Sequence, residues 1–230
     1  GDYAFNAAKL MDIPIGRPRS QYKVLGEDEL CELRYYKAEE EKRTVLIIYA
    51  LVNKPEIVDL APYVGRSLIK YLNSKGISVL LLYWKNPVRN HKLEAYTRRI
   101  NHAFAYASKG KRVNGLFYCQ GGTKTLLGVW QNQIDVRHID NPAFLAVPID
   151  ISSHLRANWA LAKGMTKNSA RIMQSWGECN NGLLDGGTFA QMLLLRDQRT
   201  ISNMTNESFA RNIELANEEP RIIDFMENHG

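Results

Sequence analysis

The chain has 230 residues, 45% of them hydrophobic and 23% charged, with a formal net charge of +6. That composition fits one globular domain, or one domain with a sizeable insertion, whose core needs no disulfide or metal. The basic residues are dispersed and lack a basic-aromatic motif, so the surface suits small anionic ligands and nucleic acid is not expected as a partner. Cys31, Cys119 and Cys179 lie far apart without a CxxC pair, so no metal site is expected. Unpaired cysteines of this kind suit a reducing cytoplasm. The longest apolar runs, Val45 to Val52 and Val79 to Trp84, are too short for a transmembrane segment. The N-terminus carries no signal-peptide pattern.

Residues 1–19 read as an N-terminal arm, with a short helix over 1–13 that Pro14 and Pro18 break. Ser20 to Val24 and Leu30 to Ala38 read as an antiparallel pair, turning at Gly26, Glu27 and Asp28. A buried strand follows at Thr44 to Tyr49, then a loop over 50–60 and a helix over 63–74 that Gly76 stops. The next segments alternate: strand Ile77 to Tyr83, helix 89–108, strand Asn114 to Tyr118, helix 121–131, strand Ala143 to Val147. Short, apolar, β-branched strands separated by helices predict a parallel sheet covered on both faces. Residues 20–150 form this predicted core. Residues 151–230 read as helices and loops without a clear strand, which suits a lid or cap inserted over the sheet.

The chemistry centres on Phe117-Tyr118-Cys119-Gln120-Gly121-Gly122-Thr123, where a buried strand turns into a helix. This is the setting of a nucleophile elbow, in which a strained turn thrusts the nucleophile up from the sheet edge. Gly121 and Gly122 supply the small residues that let strand and helix approach. The helix N-terminus sets N–H groups and positive dipole beside the Cys119 sulfur, which favours thiolate. The N–H of Gln120 is one expected oxyanion-hole donor. Phe117 departs from the pattern. A small residue usually stands two positions before the nucleophile, and a phenyl ring there is expected to crowd the crossing.

Five ordered segments resemble polyhydroxyalkanoate synthases. They are Ile47 to Pro55 with Ile57 to Leu60, Leu82 to Pro87, Tyr118 to Thr123, Ala146 to Asp150, and Leu215 to Pro220. Order and approximate spacing agree over residues 20–230, most closely with the short synthases that work with a second subunit. The resemblance implies an α/β-hydrolase-like fold: a mostly parallel sheet with helices on both faces, then a helical lid. It implies a cytoplasmic enzyme, active at the polymer granule surface, that polymerises (R)-3-hydroxyacyl-CoA without a further cofactor. Carried over by position, Cys119 is the nucleophile, and Gln120 and Val52 are oxyanion donors. Asn53 and Asp59 belong to the matching loop, where Asp59 is expected to order the backbone rather than titrate in the reaction.

A Cys nucleophile needs a base and an orienting acid. In these synthases an Asp and then a His follow the lid, and no residue here matches either one. His91 and His102 lie on a surface-type helix pattern, His138 in a charged turn, His154 at the start of the lid, and His229 is penultimate. None stands at a motif position. The base and the last strands of the sheet are therefore expected on a second synthase subunit or a C-terminal complementing part. An unpaired sheet edge then predicts a homo- or hetero-oligomer. Two other readings stay open: a non-catalytic synthase-like subunit that binds a partner or the granule, and a Cys-type thioesterase or hydrolase.

Overall fold

The computed structural model describes residues 20–51, 55–59, 67–87 and 91–149, with Arg171, Ser175 and Leu183. The expected arm, the Leu215 to Pro220 segment and nearly all of the lid lie outside the described residues. The chain divides into two compact units. The larger spans residues 22–51 and 76–184, and the smaller spans 1–21, 52–75 and 185–230.

The larger unit is built on a six-stranded sheet. Its strands are β1 (Lys23–Glu27), β2 (Cys31–Tyr36), β3 (Arg43–Ile48), β4 (Ile77–Trp84), β5 (Val113–Tyr118) and β6 (Ile139–Leu145). The spatial order is β1-β2-β4-β3-β5-β6. β3 pairs in parallel with β4 and with β5, and β5 pairs in parallel with β6. β2 runs antiparallel to β4, and β1 antiparallel to β2. This is an α/β-hydrolase-like sheet, mostly parallel, with an antiparallel hairpin on one side.

The central strands explain the apolar runs. Leu46, Ile47 and Ile48 of β3 and Val79 and Leu81 of β4 are fully buried. A strand flanked on both sides and covered on both faces has no solvent-facing row, so its side chains do not alternate. β6 behaves differently. It begins at Ile139, four residues earlier than the sequence predicts, and every residue from Asp140 to Leu145 is exposed. The early part reads as polar because this strand has one neighbour among the described residues and is not sandwiched. The expected coverage of both faces therefore fails at β6.

The hairpin turn also sits later than expected. Gly26 and Glu27 remain in β1, and the reversal falls on Asp28 to Leu30. The Asp28 carboxylate accepts from the N–H groups of Leu30 and Cys31, at 2.8 and 3.0 Å. This side-chain turn takes the place of a glycine turn.

In the smaller unit, α1 (Leu68–Ser74) starts after Ser67, whose hydroxyl accepts from the N–H of Lys70. The serine is extended, so α1 begins at Leu68, and the expected start near Tyr63 lies outside the described residues. In the larger unit, the described residues include the helices α2 (Leu93–Ser108) and α3 (Gln120–Trp130). Gly76 stands after α1 at a φ of 75°, as its stop role requires.

Candidate active site

β5 delivers Tyr118 to the sheet edge, and α3 starts two residues later. Cys119 lies between them with φ 50° and ψ −130°. That is a sparsely populated conformation for a residue with a Cβ, and such strain costs about 1–3 kcal/mol. Local contacts hold it. The Cys119 N–H donates to the Leu145 carbonyl at 2.9 Å, and the Gly122 N–H donates to the Cys119 carbonyl at 3.0 Å. The sulfur is half-buried.

The two glycines are demanded by space. A Cβ at Gly121 would lie 2.3 Å from the Ile48 carbonyl oxygen. A Cβ at Gly122 would lie 2.4 Å from a Val147 methyl. Real Cβ atoms do not approach so closely, so α3 can reach β3 and the segment after β6 only with glycine at both positions. Thr123 adds a tie, its hydroxyl donating to the Pro148 carbonyl at 3.0 Å.

Phe117 does not disturb this turn. Its ring is buried and stacks on Phe144 with centroids 5.1 Å apart, with Phe104 5.8 Å away. The room comes from Gly115, two residues earlier on the same strand face, where a Cβ would strike the Phe117 ring at 2.7 Å. The expected crowding is displaced onto Gly115, away from the crossing at Gly121.

Gln120 is the first residue of α3 and is exposed. Its N–H is among those that a helix start leaves without an intrahelical acceptor, so it is available to an oxyanion. Val52 and Asn53 lie outside the described residues. Asp59, in the smaller unit, is buried. It accepts from the Ser20 N–H at 2.9 Å and from the Ser20 hydroxyl at 2.7 Å. The Ser67 hydroxyl donates to it as well.

Among the described histidines, none hydrogen-bonds the Cys119 sulfur. His138 Nδ1 lies 3.1 Å from the Ser108 hydroxyl, and His91 stands edge-on to Tyr96. His154 and His229 lie outside the described residues. No group of three His, Cys, Asp or Glu side chains that could hold a metal ion occurs among the described residues.

One buried residue of α3 was not singled out from the sequence. Lys124 is 6% exposed, and its ammonium nitrogen has no hydrogen-bond partner among the described residues. It lies over the Trp84 ring, 4.6 Å from the centroid, and 5.8 Å from that of Tyr96. Burial lowers its pKa from 10.5 to about 7, against an upward pull from Cys119. It shares the buried face of α3 with Gly121, Gly122, Thr125 and Gly128, a set without the apolar side chains that mark such a face in a sequence.

No family model matches the chain. Among curated proteins, it is 26% identical to the poly(3-hydroxyalkanoate) polymerase subunit PhaC of Haloferax mediterranei, over 90% of this chain and 43% of that protein. The PhaC subunit of Haloarcula marismortui is 27% identical over 82% of this chain and 43% of its own length. That of Synechocystis is 33% identical over 50% of this chain and 32% of its own length. The chain is similar in sequence to these poly(3-hydroxyalkanoate) polymerase subunits. It spans less than half the length of these relatives. Among solved structures, it is similar to esterase B from Lactobacillus rhamnosis, with TM-score 0.44 and 15% identity over 82% of this chain and 67% of that one. A CIB-like hydrolase from Thermoplasma acidophilum gives TM-score 0.41 and 10% identity over 61% of this chain and 69% of that one. No helix among the described residues is long and apolar enough to cross a membrane.

Proposed function

We propose that this chain is the elbow-bearing portion of a polyhydroxyalkanoate synthase-like acyltransferase, and that Cys119 carries the acyl group as a thioester. The observation behind the reading is a cysteine, in a chain similar in sequence to polymerases, held at a strained strand-to-helix turn. The Cys119 thiolate attacks the carbonyl of an (R)-3-hydroxyacyl-CoA, the bond from carbonyl carbon to CoA sulfur breaks, and CoA leaves. The hydroxyl of another acyl unit then attacks the Cys119 thioester, the bond from acyl carbon to Sγ breaks, the hydroxyl proton returns to the Cys119 sulfur, and the ester chain is one unit longer. The N–H of Gln120 steadies the oxyanion in each step. Asp59 orders the chain around itself through Ser20 and Ser67. The reaction needs no metal and no cofactor beyond the CoA of its substrate. It takes place in the cytoplasm, at the granule surface, with a second synthase subunit or C-terminal complementing part.

The test is CoA release from (R)-3-hydroxybutyryl-CoA, with and without the complementing chain. Cys119→Ala is expected to lower release on the order of a thousandfold or more, as removal of a nucleophile does. Release that survives this substitution overturns Cys119 as nucleophile. Free hydroxy acid without polymer turns the reading to a Cys-type thioesterase. A second reading is favoured by the absence of a histidine bonded to Cys119 among the described residues. It makes the chain a non-catalytic synthase-like subunit, and release that never rises above background with any partner selects it.

A further inference from the structure

We propose that the layer formed by α2 and α3 docks on an anionic phospholipid surface, with Trp130 entering the headgroup boundary and the surrounding arginines and lysines meeting the lipid phosphates. The inference goes beyond the reading of Cys119 and does not depend on it.

The outward face of α3 is the first observation. Gly121, Thr125 and Gly128 recur at helical spacing on its buried face. Thr123, Leu127 and Trp130 recur at the same spacing on the opposite face. A helix face turned to water ordinarily carries charge. α3 has a single charged residue, Lys124, and that residue is buried. Its outward face is therefore uncharged, and it ends in an indole that is 78% exposed. Val136, in the turn that follows, is 52% exposed, and Tyr106 on α2 is exposed as well. Apolar side chains scattered singly over a surface need no explanation, but these are gathered. The Ile134 N–H donates to the Gly128 carbonyl at 3.1 Å, and the Asp135 N–H donates to the Asn101 side chain at 2.9 Å. The turn that carries Val136 is thus tied to both helices.

The second observation is where the charge lies. The chain carries a net +6, and residues 93–138, which supply both helices, hold Glu94 and Asp135 as their only acids. Arg98, Lys109, Lys111, Arg112 and Arg137 of the same stretch are all exposed. Asp135 is already engaged by Arg137, at 2.7 Å. An uncharged apolar centre is therefore bordered by an excess of cations.

An anionic lipid layer answers both features. An indole settles at the boundary between headgroups and acyl chains, where its ring is buried and its N–H stays wet. Lysine and arginine are drawn to the negative potential of anionic headgroups. A protein partner fits less well. A stable interface engages about 20–30 residues a side and is depleted of charge at its centre. Nucleic acid would take the cations and leave Leu127 and Val136 uncovered. α3 runs eleven residues, roughly 16 Å, from the elbow to Trp130, so a chain docked by this face keeps Cys119 clear of the lipid.

The test is flotation of the 230-residue chain with phosphatidylcholine vesicles, with and without about one third phosphatidylglycerol, in about 0.1 M salt. Partitioning is expected to be at least about tenfold stronger with phosphatidylglycerol and to fall as salt rises. Trp130→Ala should weaken it about tenfold. Arg98→Gln with Lys111→Gln should weaken it on the order of twentyfold, at about fivefold per charge. Brominated acyl chains should quench the parent's fluorescence more than that of Trp130→Phe. Equal binding to both vesicles, or variants that bind like the parent, overturns the proposal. Inorganic phosphate at matched ionic strength is expected to leave binding intact. If it displaces the chain, the cations form a site for free phosphate and the surface reading falls. Capture by single-stranded RNA with no binding to vesicles overturns it in favour of nucleic acid. Self-association that Trp130→Ala abolishes, with no vesicle binding by either form, overturns it in favour of a second copy. CoA release is read without vesicles, so failure here leaves the synthase reading standing, and vesicle binding without CoA release leaves this one.

Discussion

A single methyl group tests the elbow. Gly121→Ala would press a Cβ against the Ile48 carbonyl, which is backbone of a central strand and cannot swing aside. The expected cost is about 1–3 kcal/mol in urea unfolding, the range for overpacking a filled site. Gly26→Ala is the control, since a Cβ there meets nothing within 4 Å. Equal stability of the two variants would show that the crossing at Gly121 is looser than its geometry. Lys124 gives a pH-dependent counterpart. Its amine titrates near 7 when folded, below its ordinary value of 10.5. Between those limits the unfolded chain binds more protons, so stability rises with pH across that window. Lys124→Met should therefore be more stable than the parent at pH 7, and the gap should narrow toward pH 10. A constant gap across that range would mean the amine is not desolvated. Residue by residue, the sequence made the turn at Cys119 and the close approach at Gly121 and Gly122 legible, because an apolar strand running into paired glycines marks a tight strand-to-helix crossing. It hid Lys124, because a lysine in a helix ordinarily faces water and its burial depends on Trp84 and Tyr96 arriving from other elements.

At the scale of elements, the Asp28 turn and the Phe117 stack show two kinds of outcome. The turn was expected over Gly26, Glu27 and Asp28, but only Asp28 belongs to it, through a carboxylate bonded to two N–H groups, a choice that composition does not reveal. Burial alone would raise the Asp28 pKa, yet the Leu30 and Cys31 N–H groups and Arg99 hold it below its ordinary value. Its contribution is thus present above the ordinary carboxylate range and is lost as pH falls through and below it. Asp28→Ala should cost about 1 kcal/mol at pH 7, and the difference should fade under acid. A difference that grows as pH falls would contradict the assignment. Phe117 was read as an obstacle because its strand position was known and the vacancy at Gly115 was not. Its ring is wholly buried between Phe104 and Phe144, so Phe117→Ala should cost about 3–5 kcal/mol by thermal or denaturant unfolding. Strands β3 and β4 were legible for a simple reason: sandwiched strands carry unbroken apolar runs, Val45 to Ile48 and Val79 to Leu82. β6 was read short because Asp140, Asn141 and Pro142 do not look like a strand, and an edge strand has no need to.

For the molecule as a whole, the sheet ends differ. On one side β1 closes with a Gly26 irregularity in its register, a device that blunts an edge. On the other, β6 has one neighbour among the described residues, and Phe144 and Leu145 at its end are 44% and 49% exposed. Exposed strand backbone beside apolar side chains is a template for another strand. The 230-residue chain is therefore expected to self-associate as its concentration rises, with sedimentation velocity reporting a growing weight-average mass. A lysine placed on the edge should oppose this, since a strand cannot pair over a desolvated charge. Ala143 is the site of choice. It is exposed, it pairs with Leu116, and its replacement removes no aromatic stacking. Ala143→Lys should shift association to higher concentration, while alkylation of Cys119 keeps its rate because neither the Leu145 carbonyl nor the glycines of the elbow are altered. If association is unchanged, the contact lies on another surface. If the chain stays monomeric at high concentration, residues beyond those described cover the β6 edge, and the complementing chain would have to engage the fold elsewhere.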